Sequence, residues 1–240
     1  MLYDACRALY EAAFPNKPRH FADTLFDSCY PHCLRTLCED GQPVAMLFSI
    51  PYPIVTPSGD EREAHYLYAI ATHPAHRGTG LAKRLVQAEA ARYPIFLRPM
   101  TPSLYDFYAK AGLTPLSPVR VLRGAALNDG GHCRLLTPPE YLARRDAVAA
   151  PLHCRPTPTF LSLYEKDGGF AETEGALVLY EKRGEEILFK EYRGDPVFAP
   201  RLAAFLGGAH YELRQYDKGG TPFGMGAGVA FETEFLAALD

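Results

Sequence analysis

The stretch Thr72-His73-Pro74-Ala75-His76-Arg77-Gly78-Thr79-Gly80-Leu81-Ala82 decides how this chain is read. It follows an apolar run, Tyr66 to Ala71, and opens a segment with helical period. A strand that feeds a short glycine-bearing loop into a helix N-terminus turns several backbone N–H groups outward. With the helix dipole behind them, these groups bind phosphate oxygens. Arg77 adds a positive charge, and Gly78 and Gly80 let the backbone come close to an anion. Two nucleotide-binding loops fail on inspection. The P-loop needs G-x-x-x-x-G-K-S/T, and Leu81 follows Gly80. A dinucleotide-binding turn needs G-x-G-x-x-G, and Lys83 stands where its third glycine belongs.

The pattern that is present, R-x-x-G-x-A from Arg77 to Ala82, resembles the acetyl-CoA loop of the GNAT N-acetyltransferase family, Q/R-x-x-G-x-G/A. Ala71-Thr72-His73-Pro74 and Leu85 also stand where that family places them. Downstream, Phe107-Tyr108-Ala109-Lys110-Ala111-Gly112-Leu113 is similar to the family's FYxKxGF signature, with Leu113 in place of the usual Phe. The Asn and Ala often found earlier in that helix are replaced by Thr101 and Leu104. Independently of the resemblance, Ser103 with Asp106 three residues on predicts a helix start, and Gly112 a stop.

The resemblance implies an α/β (α+β) fold with a mixed, mostly antiparallel sheet flanked by helices. It implies acetyl-CoA as cosubstrate, with no metal. Its pyrophosphate is expected on Arg77, Gly78, Thr79, Gly80, Leu81 and Ala82, and its pantetheine amides on the backbone of Ile70, Ala71 and Thr72. In the family the fifth strand splays from the fourth, and the pantetheine arm lies in that wedge. Acetyl transfer needs a neutral amine, a donor for the oxyanion and a proton for the departing thiolate. The family's tyrosine acid falls on Tyr108; a phenol with an ordinary pKa near 10 is protonated at neutral pH and can donate. A half-buried packing role is the alternative for Tyr108, and packing or pocket lining for Tyr105. No general base stands out among His65, Tyr66, Tyr68, Glu61 and Glu63.

Composition bounds the rest. A chain of 240 residues holds one large domain or two small ones. No apolar run reaches the length of about 20 residues that a membrane helix requires, and the N-terminus is no signal peptide. A net charge of −3 argues against broad nucleic-acid binding, because there is no basic surplus to release counterions. Positive charge gathers locally instead, at His76, Arg77, Lys83 and Arg84. Six cysteines show no C-x-x-C spacing, which predicts reduced, largely buried thiols in a cytoplasmic protein. His132-Cys133 and His153-Cys154 lack the further ligands of a tetrahedral metal set.

Along the chain the pattern predicts helices at Leu2–Phe14 and His20–Cys29, then a hairpin turning at Glu39-Asp40-Gly41-Gln42. Strand, loop, helix and strand from Tyr66 to Leu97 make a crossover with parallel strands. Beyond Val119 the expectations are a helix start at Leu136–Glu140 and an irregular stretch at Pro151–Pro158. Strands follow at Thr159–Leu163, Ala176–Tyr180, Ile187–Tyr192 and His210–Tyr216, with a helix at Ala199–Leu206. The repeated Leu-Tyr-Glu-Lys at 163–166 and 179–182 reads as two exposed strand ends, and Gly224–Gly228 as a flexible strand or turn. The organisation expected is a catalytic domain over 1–125 and a second, smaller domain over 126–240. That second domain is either a degenerate GNAT-like half or a plain α+β appendage. Its connection Arg193–Pro200 is wrong for phosphate, since Asp195 repels it and Pro196 and Pro200 remove two donors.

The resulting expectation is an acyl-CoA-dependent N-acyltransferase acting on a small-molecule or peptide amine, monomeric or homodimeric, without nucleic-acid or membrane partners. Two other functions stay open: a non-catalytic CoA-binding or regulatory protein, and an aminoacyl transferase of tandem architecture.

Overall fold

The computed structural model describes residues 2–239. Helices α1 (Leu2–Ala13) and α2 (Arg19–Cys29) turn Cys6, Leu9, Tyr10, Leu25, Phe26 and Cys29 into one core. Strands β1 (Leu34–Glu39) and β2 (Gln42–Pro51) form the expected hairpin, with Asp40 and Gly41 at φ of 49° and 75°. Both central residues of this turn need a positive φ, which Asp-Gly tolerates. Two short strands follow, β3 (Ile54–Val55) and β4 (Glu61–Arg62). Next come β5 (His65–Thr72), α3 (Leu81–Ala90), β6 (Ile95–Leu97), α4 (Pro102–Lys110) and the long β7 (Thr114–Ala125). The second half runs β8 (Cys133–Leu136), α5 (Pro138–Val148), β9 (His153–Cys154), α6 (Pro158–Ser162), β10 (Gly168–Thr173), β11 (Ala176–Arg183) and β12 (Glu186–Gly194). It ends with α7 (Ala199–Phe205), β13 (His210–Tyr216) and β14 (Thr221–Ala227).

Eleven strands form one sheet in the order β1-β2-β5-β6-β14-β7-β13-β12-β11-β10-β8. Only β5 with β6 and β12 with β13 are parallel. Around the centre, β5-β6-β14-β7-β13-β12 reads the same from either end in order and direction. Each half sends the strand after its parallel pair across to the other: β7 pairs with β13, and β14 lies between β6 and β7. Gly224 and Gly226 suit that crowded position. A Cβ on Gly226 would lie 2.5 Å from Leu116 Cδ2 and 2.9 Å from the Ile95 carbonyl, and one on Gly224 would lie 2.9 Å from the Leu97 carbonyl. Gly224 to Ala227 thus belong to a central strand, and Gly228 follows it with φ 70°.

The sheet separates the helices. Tyr66 and Tyr68 of β5 point to the core under α1, α2 and α6, while Leu67 between them points to the core under α3 and α4. Among the described residues, no helix is long and apolar enough to cross a membrane. Three local expectations need correction. Thr159–Leu163 is not a strand: Pro158 occupies the first turn of α6, and the Thr157 hydroxyl accepts from the Phe160 N–H at 3.3 Å. The copy of Leu-Tyr-Glu-Lys at 163–166 is therefore a turn after α6, with Leu163 and Tyr164 buried. Helix α4 is preceded by Thr101 rather than started by Ser103, because Pro102 again takes the first turn. Strands β8 and β10 were not foreseen, and β10 opens on Gly168-Gly169, residues that weaken a strand pattern.

A buried ionic cluster ties the second half together. Glu191 on β12 accepts two hydrogen bonds from Arg145 of α5 (both 2.9 Å), one from Arg193 (2.5 Å) and one from the Tyr141 hydroxyl. Arg145 also donates to the Cys154 carbonyl (2.6 Å), and Arg193 reaches Glu234 (3.0 Å). Burial alone would raise the Glu191 pKa; the two guanidiniums outweigh it and hold the carboxyl down at about 2. Ionised Glu191 thus contributes stability that is present above the ordinary value of about 4.5 and is lost as the pH falls towards 2. Removing one partner of such a cluster strands the other charges, at a cost of about 3–5 kcal/mol.

Three outcomes are expected. The urea midpoint of the native chain should drop between pH 4.5 and 2. Glu191→Gln should lower the midpoint at pH 7 and flatten that drop, and an equally steep drop in the variant would remove Glu191 as its cause. Gly226→Val should destabilise by about 1–3 kcal/mol through overpacking, read as a lower Tm.

Candidate active site

Two neighbouring parallel strands part company at the centre of the first half. Pairing of β5 with β6 is limited to His65 with Ile95 and Tyr66 with Phe96, while β5 runs on to Thr72. Past Tyr66 no strand among the described residues flanks β5 on that side, so a wedge opens between the two. Ala69 lies in this free stretch at φ 52°, opposite a register shift in β2 between Met46 and Phe48. A bulge of this kind bends the strand and re-aims the backbone that follows, here Ile70, Ala71 and Thr72.

At the top of the wedge the chain enters a single 3-10 turn, Pro74–His76, in which the His73 ring accepts from the Ala75 N–H at 3.3 Å. Gly78 and Gly80 then take φ of 80° and 82°, the left-handed region. Helix α3 starts directly afterwards. The backbone N–H groups of residues 78–83 find no acceptor among the described residues; the first helical bond runs from the Arg84 N–H to the Gly80 carbonyl at 3.0 Å. Six consecutive donors at a helix start form an anion nest. The Thr79 hydroxyl is turned inward to the His76 carbonyl at 2.6 Å and braces the loop. Arg77 is exposed beside it, its Nε 3.4 Å from the Thr72 carbonyl. Arg77, Gly78, Thr79, Gly80, Leu81 and Ala82 thus form one continuous rim above Ile70, Ala71 and Thr72.

Tyr108 approaches the wedge from α4, on the same face as α3. It is 7% exposed and packs among Leu81, Leu97 and Leu113. Its carbonyl accepts from the Ala111 and Leu113 N–H groups, both at 3.0 Å, and Gly112 at φ 97° closes the helix between them. Burial pushes the Tyr108 phenol up to about 12, so it keeps its proton. The Tyr66 phenol, from the other face of the sheet, lies within electrostatic reach of Tyr108 and is itself raised by burial. Tyr105 does not face the wedge freely: its hydroxyl donates to the Pro222 carbonyl at 2.9 Å and fastens α4 to β14. His65 sits at the closed end of the wedge, bonded to Ser49 (2.8 Å) and stacked on Tyr93 at 4.0 Å. Glu61 is engaged by Arg155.

The second crossover, β12 to β13, shows what a nest requires. It too has a 3-10 turn, Pro196–Phe198, preceded by a side-chain cap, the Asp195 carboxylate on the Val197 N–H at 2.9 Å. It runs straight into α7 with no glycine between. Its free donors are partly satisfied by its own carboxylate and partly replaced by proline.

On the α1/α2 face lies a cavity of about 820 Å³, which meets β5 through Phe21, its ring centroid 6.0 Å from that of Tyr68. Met100 and Thr101, just after β6, form one wall, and Phe14, Lys17 and Phe21 from the α1–α2 connection form another. The second half supplies Tyr164, Asp167, Glu181 and Lys190. Lys190 is fully buried with its Nζ 2.9 Å from Glu181; burial pulls it down to about 7 although Glu181 opposes this. No sequence signal marked this cavity, since it is assembled from segments more than a hundred residues apart. The signal present in the sequence is Lys190-Glu191, which interrupts the apolar run from Ile187 to Tyr192.

Residues 2–115 match the family described as "Acetyltransferase (GNAT) domain". Solved structures share the fold over almost the whole chain. A probable N-acyltransferase from Enterococcus faecalis aligns with a TM-score of 0.67 at 15% identity, covering 93% of this chain and 69% of that one. A GCN5-related N-acetyltransferase from Kribbella flavida gives 0.64 at 12%, covering 93% and 68%. A putative acetyltransferase from Pyrococcus horikoshii gives 0.65 at 14%, covering 99% and 91%. No curated protein matches in sequence. The β1–β2 hairpin, the splayed strands β5 and β6 and the glycine-bearing nest all lie within residues 2–115, the part of the chain that matches the GNAT acetyltransferase domain.

Proposed function

We propose that this protein transfers an acetyl group from acetyl-CoA to an amine, with Tyr108 as the general acid. One observation carries the reading: the run of six unpaired N–H groups at residues 78–83 stands at the open end of the β5–β6 wedge, with Tyr108 beside the same wedge. A pyrophosphate held on Arg77, Gly78, Thr79, Gly80, Leu81 and Ala82 leaves the pantetheine arm to descend along Ile70, Ala71 and Thr72. Its thioester then comes to lie between Tyr108 and the cavity.

In the transfer, the amine arrives neutral and its nitrogen forms a bond to the thioester carbonyl carbon. As the tetrahedral intermediate collapses, the C–S bond breaks and the sulfur takes the electron pair. Tyr108 gives its proton to that sulfur, the amine's surplus proton passes to water, and the phenol is reprotonated from solvent. The raised Tyr108 pKa suits this role, because burial keeps the proton in place until it is needed. In this reading residues 1–125 hold the donor, while residues 126–240 complete the sheet and wall the acceptor cavity.

Tyr108→Phe is expected to lower kcat about 100-fold while leaving the Kd for acetyl-CoA unchanged. Unchanged turnover would return Tyr108 to a packing role. The native enzyme's kcat should hold level from pH 8 to 10, since the phenol at about 12 stays protonated there. Gly78→Val forces a branched side chain into the left-handed region and should weaken acetyl-CoA binding at least about tenfold by calorimetry. Native protein that gives neither heat nor a Tm shift with acetyl-CoA would overturn the donor assignment.

A further inference from the structure

The cavity on the α1/α2 face limits which amine can enter. Its charged wall is already largely satisfied within the protein. Glu181 is held by Lys190 (2.9 Å) and Arg183 (2.5 Å), and Asp167 by His20 (2.5 Å). Lys182 sends its Nζ away, to the Leu206 carbonyl at 3.1 Å. Lys17 is different. It stands in the α1–α2 connection immediately before Pro18, which restricts it to extended backbone, and its N–H is fixed to the Phe14 carbonyl at 3.1 Å. Its ammonium lies 5.3 Å from the Phe21 ring centroid, and no carboxylate comes within ion-pair distance among the described residues. Burial lowers its pKa, and Glu181 opposes that only at longer range. A partly desolvated ammonium without a counter-ion in reach is stabilised when an anion enters beside it.

The surroundings define the rest of that ligand. Phe14 and Phe21 flank Lys17 and offer rings to an apolar body. With Lys182 turned away, the lining still carries Lys17, Arg183 and Lys190 against Asp167 and Glu181, so its field opposes a polycation. Resting on the acyltransferase reading above, we infer that the acceptor is an amine bearing both a carboxylate and an apolar side chain, that is, an aromatic or aliphatic α-amino acid. Lys17 pairs with the carboxylate, Phe14 and Phe21 hold the side chain, and the amino group, one carbon from the carboxylate, turns to the wedge. Lys17 is a specificity-determining residue and takes no part in bond making.

The test compares phenylalanine, phenylalaninamide and spermidine as acceptors, for the native chain, Lys17→Met and Lys17→Arg. Phenylalanine should exceed its amide in kcat/KM by at least about tenfold, the scale of one charge-assisted contact. Lys17→Met should remove that preference through KM, with kcat and the rate on the amide unchanged, and Lys17→Arg should restore it. An amide used as well as the acid, a preference that survives in Lys17→Met, or spermidine as the best acceptor would each overturn the inference. Calorimetry of N-acetylphenylalanine and its amide on the CoA-loaded protein reads the same site without turnover. Tighter binding of the acid in an inactive protein would support the acceptor site while removing the transfer reading. Turnover without such discrimination would do the reverse.

Discussion

The main-chain ladder that lodges β14 between β6 and β7 is the constraint on which the rest of the molecule depends. Without it β6, three residues long, would be the edge of the first half, paired to β5 through two residues only. With it, β6 is held from the far side, and β5 can bend away without the sheet coming apart. The wedge is therefore made by a strand that never touches it. Gly224 and Gly226 are the sequence requirement of this arrangement, because carbonyls of β6 lie where side chains would stand. Tyr105 adds a tether from α4 to the same strand, so the helix carrying Tyr108 is referenced to β14 as well.

Electrostatics divide the two ends of the chain in a consistent way. The first crossover presents donors that no acceptor among the described residues meets, in the exposed loop between β5 and α3. The second half buries its charges and pairs them, most completely around Glu191. A buried cluster of this kind is poor at adding net stability but severe on any rearrangement that strands one member. It holds β12, α5 and the segment around Glu234 in a fixed relation, which in turn fixes the cavity wall built on Glu181 and Lys190.

The parts legible in the sequence were those whose cause is local. The Asp40-Gly41 turn, the glycines of the nest, the stop at Gly112 and the Thr137–Glu140 capping box each act over a few residues, and each is found where its chemistry predicts. The parallel strands of the first crossover also followed from short-range order. What stayed hidden depends on distance along the chain. Gly224 to Gly228 shows a reader only flexibility, because its partners are residues 95–97 and 114–119. The cavity is invisible for the same reason: Lys17 and Glu181 become neighbours only after the sheet is complete. The α6 segment failed differently, since Phe160 and Leu161 read as strand residues and the deciding signal was Pro158 behind a threonine cap.

The exchange of β7 and β14 also sets a schedule for biosynthesis. Helix α3, the nest and Tyr108 have all been made by the end of β7, yet the strand that completes their sheet lies about 100 residues further on. At about 5–20 residues per second, the nascent chain carries an open β6 edge for about 5–20 s. Such an edge is a template for pairing with the wrong partner. The brevity of β6 limits the template to three residues, so the feature that makes the wedge possible also shields the chain while it is still being made.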